Sequence, residues 1–172
     1  MLVKILALLE HQNDLDEISE SLEHVGHQVL KATQFQEAME ILRKTDVDLI
    51  IADVHLQNGG SIFDFLRWVK GDPHMRLVPF VCFSAQATEI PKYLADGVRT
   101  AARAMGAARY ITMETFDKAA FLAEIEWLLP QDRAGNHYAE QGRDGDNKPK
   151  SPGRLKKEKT ALHLTEMDKS VI

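Results

Sequence analysis

The sequence predicts an α/β protein with a doubly wound, five-stranded parallel sheet of five βα units, followed by a disordered C-terminal tail. Apolar-rich runs of strand length alternate five times with stripes of apolar residues at helical spacing. Because short connections join them, we expect right-handed crossovers that place helices on both faces of the sheet. After Pro130 the periodicity stops, which predicts a domain over residues 1–130 and a tail over residues 131–172.

The five strands are predicted from runs of apolar residues that are bounded by polar or turn residues. In chain order they are Val3–Leu9, Gln28–Ala32, Leu49–Ala52, Val78–Phe83 and Tyr110–Met113. Runs this rich in apolar residues are typical of parallel strands, which are buried on both faces.

A helix is predicted after each strand because apolar residues recur there three or four positions apart. The helical segments are marked by Leu15, Ile18, Leu22 and Val25; by Phe35, Ala38, Met39 and Leu42; by Ile62, Phe63, Leu66 and Val69; by the stretch from about Ile90 to Met105; and by Phe121, Leu122, Ile125, Leu128 and Leu129. Gly26 and Gly71 suit helix ends, and Pro91 suits a first helical turn.

Composition excludes several classes of protein. The chain has 172 residues, a formal net charge of −5 and a single cysteine, Cys82, so it has no internal disulfide. No apolar segment approaches the roughly 20 residues that span a bilayer, and the N-terminus lacks the pattern of a signal peptide. We therefore expect a cytoplasmic protein with no membrane partner. Cys82 lies inside an apolar run, which predicts a buried small hydrophobe rather than a nucleophile.

The most informative polar residue is Asp53, which ends the run Asp48–Asp53. The following loop, from Val54 to Gly60, closes with Gly59-Gly60. Asp53 should therefore lie at the carboxyl end of a buried strand, the edge where ligands bind in open α/β sheets. Two interpretations stay open: a reactive carboxylate, or an acid that caps the loop or the next helix.

Several residues at matching separations resemble the receiver domain of bacterial response regulators, which has a flavodoxin-like topology. The shared features are the acid Asp53, the pair Ser84-Ala85 after the fourth strand, Gly106-Ala107 before the fifth strand, and the aromatic Tyr110 that opens it. The segment Arg76–Ala85 is similar to the family's fourth strand in order and spacing. The resemblance covers roughly residues 2 to 129.

The resemblance implies a role for each of these side chains. Asp53 would accept a phosphoryl group from a histidine kinase, Ser84 would then turn toward that group, and Tyr110 would move inward. The alternative for Ser84 is a polar strand end, and the alternative for Tyr110 is packing at the edge of the core.

This chain departs from the family at the positions that supply charge. The family's acidic pair after the first strand falls on Leu9-Glu10, and its Lys-Pro after the fifth strand falls on Met113-Glu114. The resemblance implies that Mg²⁺ would bind weakly, through Glu10, Asp53 and the backbone carbonyl of His55. The alternative for Glu10 is a charge at a helix N-terminus.

We therefore expect an atypical receiver, not an enzyme, that acts in signal transduction by binding other proteins and is phosphorylated slowly at Asp53. The expected partner is a histidine kinase or a downstream effector, and a homodimer is compatible with the sequence. The alternative is a fully phosphorylatable, stand-alone response regulator of a phosphorelay. A small-molecule carrier is disfavoured because no Gly-rich loop follows Leu9.

Three further features concern the surface of the predicted domain and its tail. The segment between Ala85 and Met105 is longer than in the family and contains Gly97, which indicates either an altered partner-binding helix or a longer loop on an unused face. His11, His55 and His74 fall in predicted loops, where we expect surface residues. Nucleic acid would bind only through the basic tail segment Lys148–Lys159. The alternative for this segment is a solvated linker.

Truncation after Pro130 should leave the thermal midpoint of unfolding nearly unchanged, because residues 131–172 carry little apolar periodicity. Thermal unfolding of the full chain and of the truncated chain, monitored by circular dichroism, measures this directly. A clear fall in the midpoint would show that the tail packs on the domain.

Overall fold

The computed structural model describes residues 2–56, 61–85 and 92–130, with the side chains of residues 92–95 excepted. The predicted Gly59-Gly60 turn, the start of the fourth helix at Ile90 and Pro91, and the predicted tail lie outside the described residues. No helix within the described ranges is long and apolar enough to cross a bilayer.

Five strands alternate with five helices along the described part of the chain. The order is β1 Lys4–Leu8, α1 Gln12–His24, β2 Gln28–Ala32, α2 Phe35–Lys44, β3 Leu49–Asp53, α3 Ile62–Gly71, β4 Phe80–Ser84, α4 Lys92–Ala104, β5 Arg109–Thr112 and α5 Lys118–Glu126. This confirms the predicted α/β fold and its five βα units.

The strands form one parallel sheet in the order β2-β1-β3-β4-β5. The order reverses between β1 and β3, since the chain builds outward from β1 to β2 on one side and from β3 to β5 on the other. Such a reversal opens a crevice at the carboxyl ends of the two central strands. All five residues of β3 are buried, as its apolar run predicted.

The bounds of β2 are as predicted, and those of the other strands differ from the predictions by one or two residues. The largest difference is at β4, which was expected from Val78 and begins at Phe80. Pro79 has no backbone N–H to donate to a neighbouring strand, so regular pairing begins after it. At its other end β4 extends one residue further than predicted, so Ser84 lies within β4 and pairs in register with Thr112 of β5.

Helices cover both faces of the sheet, and the sheet separates two hydrophobic cores. On one face α2, α3 and α4 pack on the sheet around Phe65, whose ring contacts those of Phe35, Trp68 and Phe80. On the other face α1 and α5 pack on it around Phe83, whose ring contacts Phe116 and Phe121. Because both faces of the sheet are buried under helices, the strands are apolar along most of their length.

Two glycines with positive φ follow helices. Gly26 follows α1 with φ 89° and Gly106 follows α4 with φ 100°, a backbone conformation that side chains disfavour. The predicted stop at Gly26 is therefore confirmed. Cys82 is fully buried, and burial raises the pKa of its thiol to about 12, which confirms a structural rather than a nucleophilic cysteine.

Candidate functional site

Asp53 ends β3 at the crevice where the strand order reverses. Its side chain is 3% exposed, and its Oδ1 accepts a 2.9 Å hydrogen bond from the backbone N–H of His55. Burial raises the pKa of the carboxyl, and the nearby charge of Asp14 raises it further. The hydrogen bond and the charges of His55 and His11 act in the opposite direction. Asp53 is thus a desolvated acid at the ligand-binding edge of the sheet.

His55 is not the plain surface residue that its loop position predicted. It is half-buried, and its imidazole Nε2 lies 2.9 Å from Ser84 Oγ. The expectation was wrong because the loop after β3 directs the ring toward the end of β4, where a buried hydroxyl supplies a partner. His11 and His74 are exposed, as expected.

Ser84 and Tyr110 are both buried and face the same side of the sheet. Ser84 is 1% exposed and Tyr110 is 9% exposed. Tyr110 pairs in register with Cys82, and alternate residues of a strand share a face, so Ser84 and Tyr110 are diagonal neighbours. Burial raises the pKa of the Tyr110 phenol, and the Asp53 charge adds to this shift. Asp53 therefore lies within electrostatic range of the Tyr110 side chain.

Arg99 of α4 covers Tyr110 from outside. Its guanidinium carbon is 5.5 Å from the centroid of the Tyr110 ring, within the range of a cation–π interaction. The same guanidinium lies 3.8 Å from Asp96 one turn earlier in α4. The Arg99 charge also lowers the pKa of Tyr110, against the effect of burial.

The residues present fit a divalent cation poorly. Leu9 is fully buried in the core beside α1, so the first position of the family's acidic pair carries no ligand. Glu10 follows β1 at the same edge as Asp53. Across residues 2–56, 61–85 and 92–130, no three His, Cys, Asp or Glu side chains come together as a metal-binding group. Mg²⁺ would therefore rest on one or two carboxylates, a carbonyl and retained water.

A cleft of about 160 Å³ opens beside α1, at the carboxyl ends of β4 and β5. It is lined by Asp14, Glu17, Ile18, Phe83, Ala85, Met113, Glu114 and Phe116. Met113 stands at the position where the resemblance expects a lysine, and the acids around it make the cleft negative. The described residues near Met113 thus add negative charge where the family pattern places a positive one.

Sequence reasoning missed three of the side chains described above. Asp14 lies in the first turn of α1, the helix that follows β1 at the crevice, and this position could have indicated a second acid there. His55 lies two residues after Asp53, but nothing in the sequence indicates where its ring points. Arg99 could not be paired with Tyr110 before the angle between α4 and β5 was known.

No family model matches the chain, and no curated protein matches it in sequence. Solved structures do match. The chemotaxis response regulator CheY4 of Vibrio cholerae is 20% identical with a TM-score of 0.65, over 75% of this chain and 100% of that one. The signal receiver domain of a histidine kinase from Syntrophus aciditrophicus is 24% identical with a TM-score of 0.62, over 82% and 97%.

A third structure is the receiver domain of a sensor histidine kinase from Pseudomonas aeruginosa, with a magnesium ion coordinated in its active-site cleft. It is 19% identical with a TM-score of 0.61, over 74% of this chain and 98% of that one. At these identities the likeness is one of fold. The chain has the receiver fold, which agrees with the resemblance drawn from its residues.

Replacement of Asp53 by Asn should raise the free energy of unfolding near neutral pH in metal-free buffer, because the variant buries no charge. The folded protein binds the Asp53 proton more tightly than the unfolded chain does, since burial raises the pKa above its ordinary value of 3.8. Stability of the wild type therefore falls as pH rises from that value through the raised pKa.

Urea denaturation across this pH range measures the difference. The advantage of Asp53→Asn should be complete above the raised pKa and vanish below the ordinary value. The exposed Asp46→Asn change is the matched control. A variant less stable than the wild type at neutral pH would contradict the desolvation of Asp53.

Proposed function

We propose that this chain is an atypical receiver module of two-component signalling, which acts by binding other proteins and accepts a phosphoryl group at Asp53 only slowly. The observation that carries the proposal is the environment of Asp53. A buried acid stands at the reversal of strand order in a receiver fold, yet among the described residues the positive charges that lower its pKa come from histidines and not from a lysine or arginine.

Phosphoryl transfer explains why the missing cation matters. Negative charge spreads over the transferring oxygens, so the site needs a divalent ion, a positive side chain and hydrogen-bond donors around the acceptor. Here Met113 is half-buried and the neighbouring Glu114 is exposed. Loss of one such electrostatic contribution typically costs about 3 to 4 kcal/mol in the transition state. The acceptor chemistry of Asp53 should therefore be slow.

Mg²⁺ is proposed as a weak ligand, held by Asp53, Glu10 and the carbonyl of His55. The Pseudomonas aeruginosa receiver domain, which has the same fold, holds a magnesium ion in its active-site cleft, and this supports Mg²⁺ as the ion proposed here. Each missing carboxylate lowers the affinity for a hard cation. When bound, the ion would neutralise charge on a transferring phosphoryl group, while Asp53 would supply the accepting oxygen.

The proposed binding surface is the face formed by α4, β5 and α5, here called the α4–β5–α5 face. Asp96, Arg99 and Arg103 lie three and four positions apart along α4, and the central one contacts Tyr110 of β5. Arg103 is exposed, and Lys118 begins α5. Basic residues on this face suit a histidine kinase or downstream effector that presents acidic residues. We do not propose catalysis of a reaction on another molecule.

The second candidate is a fully phosphorylatable, stand-alone response regulator of a phosphorelay. It is favoured by the retention of an acid, a hydroxyl and an aromatic, Asp53, Ser84 and Tyr110, at one end of the sheet. The two candidates differ in the rate at which Asp53 accepts a phosphoryl group.

Incubation with labelled acetyl phosphate and Mg²⁺ should give slow labelling, and Asp53→Asn should abolish it. The change Met113→Lys should raise the labelling rate on the order of tenfold or more, because it adds a positive charge at the position where the receiver pattern has a lysine. The missing acid at position 9 is not restored in the same experiment. Leu9 is fully buried, so Leu9→Asp would place a charge in the core.

Met113→Leu is the matched control, because it preserves side-chain size without adding charge. Rapid stoichiometric labelling of the wild type would support the second candidate over the first. Equal rates for the lysine and leucine variants would show that Met113 does not occupy the position of the missing cation.

Partner binding should survive Asp53→Asn and be lost on Arg103→Glu, because the binding face does not depend on modification of the acceptor. Pull-down from cell extract with both variants, quantified against wild type, measures this. The exposed Lys44→Glu change on α2 makes the same charge reversal away from the α4–β5–α5 face and is the control. Loss of the partner with Asp53→Asn alone would show that binding depends on the acceptor.

A further inference from the structure

His55 is bonded to two residues that lie on different strands. Its backbone N–H donates to Asp53 Oδ1 at 2.9 Å, and its ring Nε2 lies 2.9 Å from Ser84 Oγ. Asp53 ends β3, and Ser84 ends β4 beside it. One residue thus connects the proposed acceptor acid to the buried hydroxyl.

The hydrogen bond matters because Ser84 is buried. A hydroxyl carries one proton to donate, and a buried hydroxyl without a partner costs about 1 to 3 kcal/mol. Contact with His55 selects one of the three staggered rotamers of the serine. Without the imidazole, Ser84 would sample its other rotamers on the face that it shares with Tyr110.

Tyr110 is constrained from the opposite side. The Arg99 guanidinium lies over its ring at 5.5 Å, and the ring is 9% exposed. Arg99 of α4 thus covers the ring of a residue that is a diagonal neighbour of Ser84 in the sheet. In the protein with unmodified Asp53, the Tyr110 ring is therefore already buried and the Ser84 hydroxyl is already hydrogen-bonded.

We propose that His55 is a positioning residue that fixes the Ser84 hydroxyl and, together with Arg99, keeps Tyr110 buried in the absence of a phosphoryl group. This inference rests on the proposed function, because it assigns the state of the α4–β5–α5 face. The face is held in one conformation by the chain's own side chains. Modification of Asp53 then changes the free-energy difference between two conformations of this face very little.

The test uses the unmodified protein, so its result does not depend on whether Asp53 can be labelled. The chain has three tyrosines. Tyr93→Phe with Tyr138→Phe leaves Tyr110 as the single tyrosine, which is then incorporated as 3-fluorotyrosine. The change in its ¹⁹F resonance between H₂O and D₂O reports the solvent exposure of the ring.

In this background His55→Ala should raise the solvent-induced ¹⁹F shift on the order of twofold, as expected when an outward state becomes comparably populated. His55→Gln should restore the wild-type value, because its amide can still bond Ser84. Arg99→Ala should also raise exposure, whereas the exposed His74→Ala should not. An unchanged Tyr110 resonance in His55→Ala would overturn the proposal.

Ser84→Ala supplies a second test should His55→Ala fold poorly. If His55 acts through the serine hydroxyl, Ser84→Ala should raise Tyr110 exposure, and adding His55→Ala should change it no further. Additive effects of the two changes would overturn the proposal. Failure of the partner-binding prediction with these NMR results intact would reject the proposed function while leaving the positioning role of His55 in place.

Discussion

The burial of one carboxyl group governs the rest of this site. Asp53 is removed from water at the end of β3, and burial disfavours its charged form. Asp53 accepts a hydrogen bond from the backbone N–H of His55, the residue whose ring contacts Ser84. The state of the acid and the position of the hydroxyl are therefore linked through one loop residue. Tyr110, a diagonal neighbour of Ser84 in the sheet, in turn contacts α4 through Arg99.

The fold determines where the site around Asp53 lies, and the departures from the receiver pattern determine which charges surround it. The strand order places the carboxyl ends of β1, β3 and β4 at one edge, which is all that an acceptor site requires of the backbone. Catalysis depends further on fixed charges near that edge. Leu9 enters the core instead of the crevice, and Met113 lines a negative cleft. A binding role agrees with an intact sheet and depleted charge.

The sequence predicted the five βα units because strands covered on both faces must be apolar along their length, as β3 is. It placed Asp53 correctly because the acid ends such a run. It did not predict the ring of His55, since side-chain direction in a loop has no periodicity. The contact of Arg99 with Tyr110 depends on how α4 lies against β5, which no local pattern encodes. Local patterns therefore placed Asp53 at the end of its strand but did not predict the side chains that surround it.

In the proposed function, the α4–β5–α5 face does not change conformation when Asp53 is modified. The most direct measurement is an amide ¹H–¹⁵N NMR titration of the whole chain with Mg²⁺ and then beryllofluoride, an analogue of the phosphoryl group. We expect shifts confined to residues next to Asp53, such as Val54 and His55, with Tyr110 and α4 unchanged. Concerted, saturable shifts of Tyr110, Arg99 and Arg103 would contradict the account, because they would show that the face switches when the acceptor is occupied.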